Sequence, residues 1–142
     1  MPEALLARDY AERATASGRA LGIDPVEVVE VEARKPGKAA EGEVILAQLQ
    51  PADHLICCDE HGRAYTSREF AGQIARLRDD GVRRLVFVIG GADGLAPEVL
   101  AAARSKLAFG PQTWPHALAR AMLAEQVYRA VTILAGSPYH RD

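Results

Sequence analysis

The feature that most constrains the fold is the apolar run LVFVI at residues 85–89. Every position is large and apolar, which is typical of a central parallel strand that is covered on both faces. The stretch GGADG at residues 90–94 breaks this strand, and Pro97 favours the first turn of a helix that we expect to run to about residue 105. A buried strand that leads directly into a helix indicates an α/β chain.

The remaining segments continue this alternation of helices and strands. A capping box at Thr66 and Glu69 begins one predicted helix, and Gly81 and Gly136 are suited to end helices in the left-handed conformation. Periodicity predicts further helices over residues 3–18, 43–49 and 116–134, and strands over residues 26–31, 54–59 and 106–109. We therefore expect one α/β domain over residues 1–142 with a mostly parallel sheet.

Composition and charge narrow the class of protein. The net charge is −2 and the pI about 6.1, whereas a general nucleic-acid binder is basic. Residues 103–142 nevertheless hold 5 Lys and Arg against 2 Asp and Glu, which fits either chance or an anion site. No apolar run is long enough to span a membrane and no signal peptide is recognisable, so we expect a cytoplasmic protein without a membrane partner. Adjacent Cys57 and Cys58 are interpreted as plain buried thiols, and no metal site is predicted.

Candidate chemistry lies in three loops that follow predicted strands, at residues 58–62, 90–94 and 110–115. Ligands of open parallel sheets bind at the carboxyl ends of the strands, and glycine lets a backbone approach a ligand closely. The GGADG loop does not match GxGxxG and lacks the lysine of a phosphate loop. Both a nucleotide-like ligand and a simple tight turn remain open for it.

The C-terminal segment carries the other candidates. His116 and Arg120 lie four residues apart and share a helix face, with Arg129 about two and a half turns further on. The tail SPYHRD combines a tyrosine, a histidine and an arginine, which together can hold an RNA phosphate or base. Solvated helix surface for the arginines and disorder for the tail are the alternatives.

Four motifs in order, FVIGGADGL, TWPHALAR, AEQVYRA and SPYHR, resemble the RlmH-type 23S rRNA pseudouridine N3-methyltransferases of the SPOUT superfamily. The resemblance implies the SPOUT, or alpha/beta knot, fold: a mostly parallel sheet with helices on both sides and a C-terminal trefoil knot. It also implies a homodimer that uses S-adenosyl-L-methionine to methylate N3 of a pseudouridine in 23S rRNA within the assembled 70S ribosome.

The resemblance further assigns roles to individual positions. It implies His140, Arg141, Tyr139 and Arg120 as catalytic residues, and His116, Glu125 and Arg129 as substrate-binding residues. The cofactor-binding positions that it implies are Cys58, Gly90, Gly91, Phe109, Gly110, Pro111, Gln112, Thr113 and Trp114. For the proton of N3, the base would be His140 or a water that the tail holds, and Arg141 or Arg120 would stabilise the developing anion.

One departure from the family pattern bears on this interpretation. Members begin with a short apolar strand, whereas this sequence opens at MPEALLARDY, which matches the helix that follows that strand. The first family strand is therefore expected to be missing, which would uncover a sheet edge or leave a gap. Two rival functions stay open: a SPOUT enzyme that acts on transfer RNA, and a non-catalytic or inactivated ribosome-associated or nucleotide-binding α/β protein.

Overall fold

A three-stranded parallel sheet organises the middle of the chain in the computed structural model, which describes residues 2–31, 33–90 and 94–141. Its strands are β1 (His54–Ala64), β2 (Leu85–Ile89) and β3 (Ser105–Ala108), in the order β2-β1-β3. The α/β class and the parallel pairing are confirmed. The expectation that residues 85–89 form a central strand is wrong, because β1 pairs on both sides and β2 lies at an edge of the described sheet.

The central strand is longer than predicted. We expected it to end at residue 59, but β1 continues to Ala64 by pairing with β3 through a register shift between Cys58 and Arg63. Gly62 permits this extension, since a Cβ there would lie 2.7 Å from the backbone carbon of Lys106. The missing side chain thus lets two backbones approach more closely than any other residue would allow.

Two compact units are distinguishable. The unit that contains the sheet comprises residues 29–64 and 82–116, with helices α2 (Lys38–Ala47) and α4 (Pro97–Ala102). One face of the sheet contributes to a buried cluster of Leu55, Cys57, Val88, Leu95, Ala96 and Val99. Ile56 alternates to the opposite face and is also buried, so β1 has the covered environment that had been expected of the LVFVI strand.

The other unit comprises residues 2–28, 65–81 and 117–141. It contains α1 (Pro2–Gly18), a 3₁₀ turn (Arg19–Leu21), α3 (Ser67–Asp79) and most of α5 (His116–Ala135). The capping box is confirmed: Glu69 N–H donates to Thr66 Oγ1 over 3.0 Å, and Thr66 N–H donates to Glu69 Oε1 over 2.8 Å. Gly81 and Gly136 adopt the predicted positive φ, at 85° and 72°.

The predicted strand at residues 26–31 does not form. These residues pair with no strand of the part of the chain that the structure describes, and a strand exists only through such pairing. Val28, Val29 and Val31 are exposed, so these valines bury no common face. The valine-rich composition was therefore a poor guide in this segment.

The remaining predicted boundaries are shifted by a few residues. The helix expected at 43–49 begins earlier, at Lys38, and α4 ends at Ala102 rather than near residue 105. The C-terminal helix agrees closely with its prediction. No helix of the described residues is long and apolar enough to cross a membrane. The trefoil knot stays a prediction from the resemblance.

Candidate active site

The carboxyl ends of the three strands meet at one edge of the sheet. Cys58 pairs with Ile89 of β2 on one side and with Leu107 of β3 on the other. The segments that follow β2 and β3 begin one or two residues beyond these pairs, at Gly90 and Phe109. We call Cys58, Gly90 and residues 109–114 the strand-end site. The structure thus places the starting points of the predicted cofactor loops side by side, as parallel pairing requires.

Gly90 follows β2 directly and lies against Gly94 and Leu95. A Cβ at this position would lie 2.9 Å from both the carbonyl carbon and oxygen of Gly94 and 2.9 Å from Leu95 Cδ2. Gly94 itself has a φ of 81°. Only a residue without a side chain fits at position 90, so the glycine is a steric requirement there. Gly91, the other glycine predicted to bind cofactor here, lies outside the described residues.

The loop at residues 109–114 is closed by its own side chains. Trp114 Nε1–H donates to the carbonyl oxygen of Phe109 over 3.2 Å, and Gly110 turns the chain at a φ of 90°. Thr113 Oγ1 donates to Glu60 Oε2 over 2.9 Å, which ties the loop to the extended part of β1. Pro111 and Gln112 are exposed at its tip. The loop therefore presents backbone and an aromatic side chain beside the sheet edge.

The two thiols near this edge are poor nucleophiles at neutral pH. Burial raises the pKa of Cys57 to about 11 and that of Cys58 to about 12. Both side chains are therefore neutral at physiological pH, and neither is the thiolate that nucleophilic catalysis needs. Both cysteines are free, as predicted; Cys57 is buried as expected, whereas Cys58 is only partly buried. Cys58 thus supplies a neutral, weakly polar wall to the strand-end site.

In the other unit, the C-terminal tail folds back along α5. Gly136, at a φ of 72°, donates its N–H to the carbonyl oxygen of Ile133, and Ser137 N–H donates to that of Thr132 over 2.9 Å. These two bonds form a Schellman cap, which reverses the chain after the last helical turn. The reversal brings Tyr139 and His140 beside the third and fourth turns of α5.

Four predicted functional residues meet there, and we call Glu125, Arg129, Tyr139 and His140 the tail cluster. Arg129 holds the Glu125 carboxylate with two bonds, from Nη2 to Oε2 over 2.7 Å and from Nε to Oε1 over 3.2 Å. The Tyr139 hydroxyl donates to the same Oε2 over 2.7 Å. The Arg129 guanidinium carbon also lies 4.9 Å from the centroid of the Tyr139 ring, within cation–π range.

Arg129 also determines which nitrogen of His140 carries the proton. Its Nη1 lies 3.1 Å from His140 Nδ1. A guanidinium has five donors and no acceptor, so Nδ1 must accept this hydrogen bond. This hydrogen bond requires the His140 tautomer that carries its proton on Nε2, in which Nε2–H is a donor.

The same contacts set the protonation of the carboxylate and the phenol. Burial tends to raise the pKa of Glu125, but hydrogen bonds from Arg129 and Tyr139 outweigh it and the pKa is lowered. The hydrogen bond with Glu125 raises the pKa of Arg129. Burial first, then hydrogen bonds with Glu125 and Tyr10, raise the pKa of Tyr139. At neutral pH the cluster holds an ionised carboxylate, a cation and a neutral phenol.

The other predicted residues lie on or beside α5. His116 is its exposed first residue and Arg141 is exposed in the tail. Arg120 is half-buried and lies nine residues before Arg129 on α5, a separation of about 13 Å along the helix axis. Among the described residues no group of three or more His, Cys, Asp or Glu side chains could hold a metal ion.

Three residues with specific contacts at these sites were not predicted from the sequence as functional. The Glu60 side chain accepts a hydrogen bond from Thr113 in the loop at 109–114, Tyr128 contacts Tyr139 of the tail cluster, and Tyr10 contacts Tyr128. The sequence places Tyr128 three residues after Glu125, a helical spacing that could have indicated a shared face. No local signal connects Tyr10 or Glu60 with partners that are more than fifty residues away.

A family model and several similar proteins indicate the same family for this chain. The family model described as "Predicted SPOUT methyltransferase" matches residues 2–140. A "Ribosomal RNA large subunit methyltransferase H" of Caulobacter sp. (strain K31) is 73% identical over all of this chain and 92% of its own length. Proteins of the same name from Caulobacter vibrioides and Methylocella silvestris are 70% and 51% identical, and the matches cover at least 99% of this chain and 91% of each relative.

Proposed function

The chain belongs to the SPOUT methyltransferase family and is an rRNA methyltransferase, and we propose that it methylates N3 of a pseudouridine in 23S rRNA within the assembled 70S ribosome. The methyl donor in this proposal is S-adenosyl-L-methionine. The observation that carries it is the folding of Tyr139 and His140 onto the Glu125–Arg129 pair, because this assembles the predicted catalytic tail.

The strand-end site suits a nucleoside-type cofactor. Position 90 has no room for a side chain, and Cys58 offers a neutral wall to an aromatic base. Backbone groups of residues 109–114 would hold the polar edge of that base, with Trp114 kept in place by its bond to Phe109. When bound, S-adenosyl-L-methionine supplies an electrophilic methyl group on a sulfonium. Cys58, Gly90, Gly91 and residues 109–114 would bind it.

The tail cluster suits the pyrimidine that receives the methyl group. N3 of pseudouridine is an imide nitrogen between two carbonyl groups, so its proton must leave as the new N–C bond forms. His140 Nε2–H would donate to a flanking carbonyl oxygen and stabilise the charge that develops there. Arg120 and Arg141 would add positive charge, while His116, Glu125 and Arg129 would bind and position the substrate.

The tautomer of His140 favours one of the two proton routes. Its Nδ1 already accepts from Arg129 and its Nε2 is protonated, so neither nitrogen can take the N3 proton in this arrangement. Tyr139 keeps its own proton because its pKa is raised. We therefore propose that the proton passes to a water held by the tail, and that His140 acts as a hydrogen-bond donor.

The remaining elements of the proposal concern assembly and substrate form. We propose a homodimer of single-domain subunits, with the cofactor site completed at the interface, as the family resemblance implies. A net charge of −2 gives little nonspecific attraction to RNA, which supports recognition of an assembled ribosome over bare rRNA. A ribosomal substrate also implies a cytoplasmic location.

The test is methyl transfer from labelled S-adenosyl-L-methionine to intact 70S ribosomes that lack this modification. Separated 50S subunits and ribosomes without pseudouridine are the matched controls. We expect label only in the large-subunit rRNA of 70S ribosomes that contain pseudouridine, as N3-methylpseudouridine after nuclease digestion and mass spectrometry. Label in transfer RNA instead, or no label from folded protein that binds the cofactor, would overturn the proposal.

A further inference from the structure

Two tyrosines that the proposed chemistry does not use lie beside Tyr139. The ring of Tyr128 lies edge-on to that of Tyr139, with 4.7 Å between centroids and 67° between planes. Tyr10 in turn contacts Tyr128, with 5.9 Å between ring centroids and 33° between planes. The three rings therefore form a chain of contacts that runs from Tyr10 through Tyr128 to Tyr139.

This aromatic group connects two separate parts of the chain to the tail. Tyr10 belongs to α1, Tyr128 to α5 and Tyr139 to the segment after the Schellman cap. The Arg13 guanidinium lies 5.7 Å from the centroid of the Tyr10 ring and pairs with Asp9 over 3.2 Å. Helix α1 thus supplies a fixed support, since Tyr10 and Arg13 occupy neighbouring turns of one helix.

The tail needs such support because it is short and terminal. After Gly136 the chain leaves the helix, and terminal residues are poorly ordered unless something holds them. Glu125 and Arg129 hold Tyr139 and His140 through polar atoms. Tyr128 contacts the ring of Tyr139 itself, where an edge-to-face contact fixes orientation, and Tyr10 packs on Tyr128. A catalytic group that is displaced by about 1 Å loses much of its rate advantage.

We propose that Tyr10 and Tyr128 are positioning residues that hold Tyr139, and through it His140, in the orientation that methyl transfer requires. This inference rests on the proposed function. The two tyrosines touch neither cofactor nor pyrimidine in this scheme. Their loss should therefore lower kcat and leave the affinities for cofactor and ribosome nearly unchanged.

Conservative variants separate the two contacts. Tyr10→Leu removes the ring that packs on Tyr128, so we expect kcat to fall about fivefold, whereas Tyr10→Phe keeps the ring and should retain most of the activity. Tyr128→Leu removes the aromatic edge and should lower kcat about tenfold, whereas Tyr128→Phe should restore most of the activity. Tyr65→Phe is the matched control, because it removes the same hydroxyl from a tyrosine outside this aromatic group.

A second measurement is independent of methyl transfer. Hydrogen exchange at residues 137–141, followed by mass spectrometry, should be faster in Tyr10→Leu and Tyr128→Leu than in the wild type and Tyr65→Phe. Cofactor affinity by calorimetry should stay within about twofold in every variant. Thermal melts identify any variant that fails to fold, and Tyr10→Met or Tyr128→Met, which also lacks the ring, then decides the result.

The outcomes separate the two proposals. If the wild type transfers no methyl group to any ribosome, the proposed function fails, while the exchange rates still test the contacts. The inference is overturned if tail exchange is unchanged in both Tyr10→Leu and Tyr128→Leu. It is equally overturned if exchange rises and kcat does not fall, or if Tyr128→Phe is as slow as Tyr128→Leu.

Discussion

Nη1 of Arg129 donates a 3.1 Å hydrogen bond to Nδ1 of His140. The bond fixes the imidazole as the Nε2–H tautomer, since arginine has no acceptor to offer in return. It also joins His140 to Glu125 through one guanidinium, because the same side chain binds the carboxylate with two further bonds. Arg129 of α5 thus determines which tautomer His140 adopts in the tail.

Arg129→Met should allow His140 to adopt both neutral tautomers, because the hydrogen bond to Nδ1 is lost. Methionine fills a similar volume and offers no donor, so we expect the nitrogen NMR signals of His140 to shift from the Nε2–H form towards a mixture of tautomers. Methyl transfer should fall by about tenfold or more, because charge-assisted hydrogen bonds are lost. Arg8→Met, on the exposed surface of α1, is the control and should change neither quantity. An unchanged His140 spectrum in Arg129→Met would contradict the tautomer assignment.

Glu125→Gln should remove part of the stability of the protein, and only at pH values where Glu125 is ionised. The pKa of Glu125 is lowered in the folded state, so its contribution is present above the ordinary carboxyl pKa of about 4.3 and is lost as pH falls through the folded value. The Tm difference between wild type and variant should therefore be largest near neutrality and shrink below about pH 4. Glu12→Gln, on exposed α1, serves for comparison. A difference that stays constant from pH 3 to pH 7 would show that ionisation of Glu125 does not stabilise the fold.

Gly90→Ala should damage the strand-end site. The added methyl group would meet Gly94 backbone atoms and Leu95 at 2.9 Å, and relief of such overpacking costs about 1–3 kcal/mol. We expect a lower Tm together with at least tenfold weaker binding of S-adenosyl-L-methionine by calorimetry. Gly72→Ala is the matched control, since a Cβ there meets nothing within 4 Å and the position lies in α3. That variant should gain up to about 1 kcal/mol of stability. If folded Gly90→Ala binds S-adenosyl-L-methionine as tightly as the wild type, Gly90 is not part of the cofactor site.

Both cysteines should resist alkylation in the folded protein. With pKa values of about 11 and about 12, Cys57 and Cys58 hold far less thiolate at pH 8 than a free thiol of pKa about 8.5. We expect iodoacetamide to react at least about a hundredfold more slowly than after unfolding in urea, as followed by mass spectrometry. Because burial raises both pKa values, the two neutral thiols contribute to the stability of the folded protein below about pH 8.5. This contribution is lost as pH rises further.

Repeating the alkylation in the presence of S-adenosyl-L-methionine tests whether the cofactor binds beside Cys58. S-adenosyl-L-methionine should slow the residual labelling of Cys58 but not that of Cys57, which faces the buried cluster of the sheet. Variants Cys57→Ala and Cys58→Ala report each thiol separately. Rapid labelling of folded Cys58 at pH 8 would contradict its raised pKa. Equal protection of both thiols would indicate general stabilisation rather than contact at Cys58.

Elements with a local cause were predictable from the sequence. The capping box at Thr66 and Glu69 and the left-handed glycines at positions 81 and 136 follow from backbone sterics and nearby hydrogen bonds, and the structure has all of them. The C-terminal helix likewise follows from its own composition and its glycine stop. These features need no knowledge of distant residues.

Pairing between strands was less predictable because it depends on distant partners. Residues 26–31 are rich in valine, as strands are, but they pair with no strand among the described residues and form none. The LVFVI run was assigned to the centre of the sheet, whereas the longer and more polar His54–Ala64 strand occupies it. Hydrophobicity reports how much of a segment can be buried, and it does not say which neighbours bury it.

By itself the sequence determined the α/β class, most helix ends and, through its ordered motifs, the family of this chain. Only the tertiary structure decided the strand order, the approach of β3 to Gly62, and the meeting of Tyr10, Tyr128 and Tyr139. It also decided the tautomer of His140, which depends on a guanidinium eleven residues earlier in the chain. The division has a physical reason: caps and turns are short-range interactions that neighbouring residues encode, whereas strand order, burial and side-chain protonation depend on groups that meet only after the chain has folded.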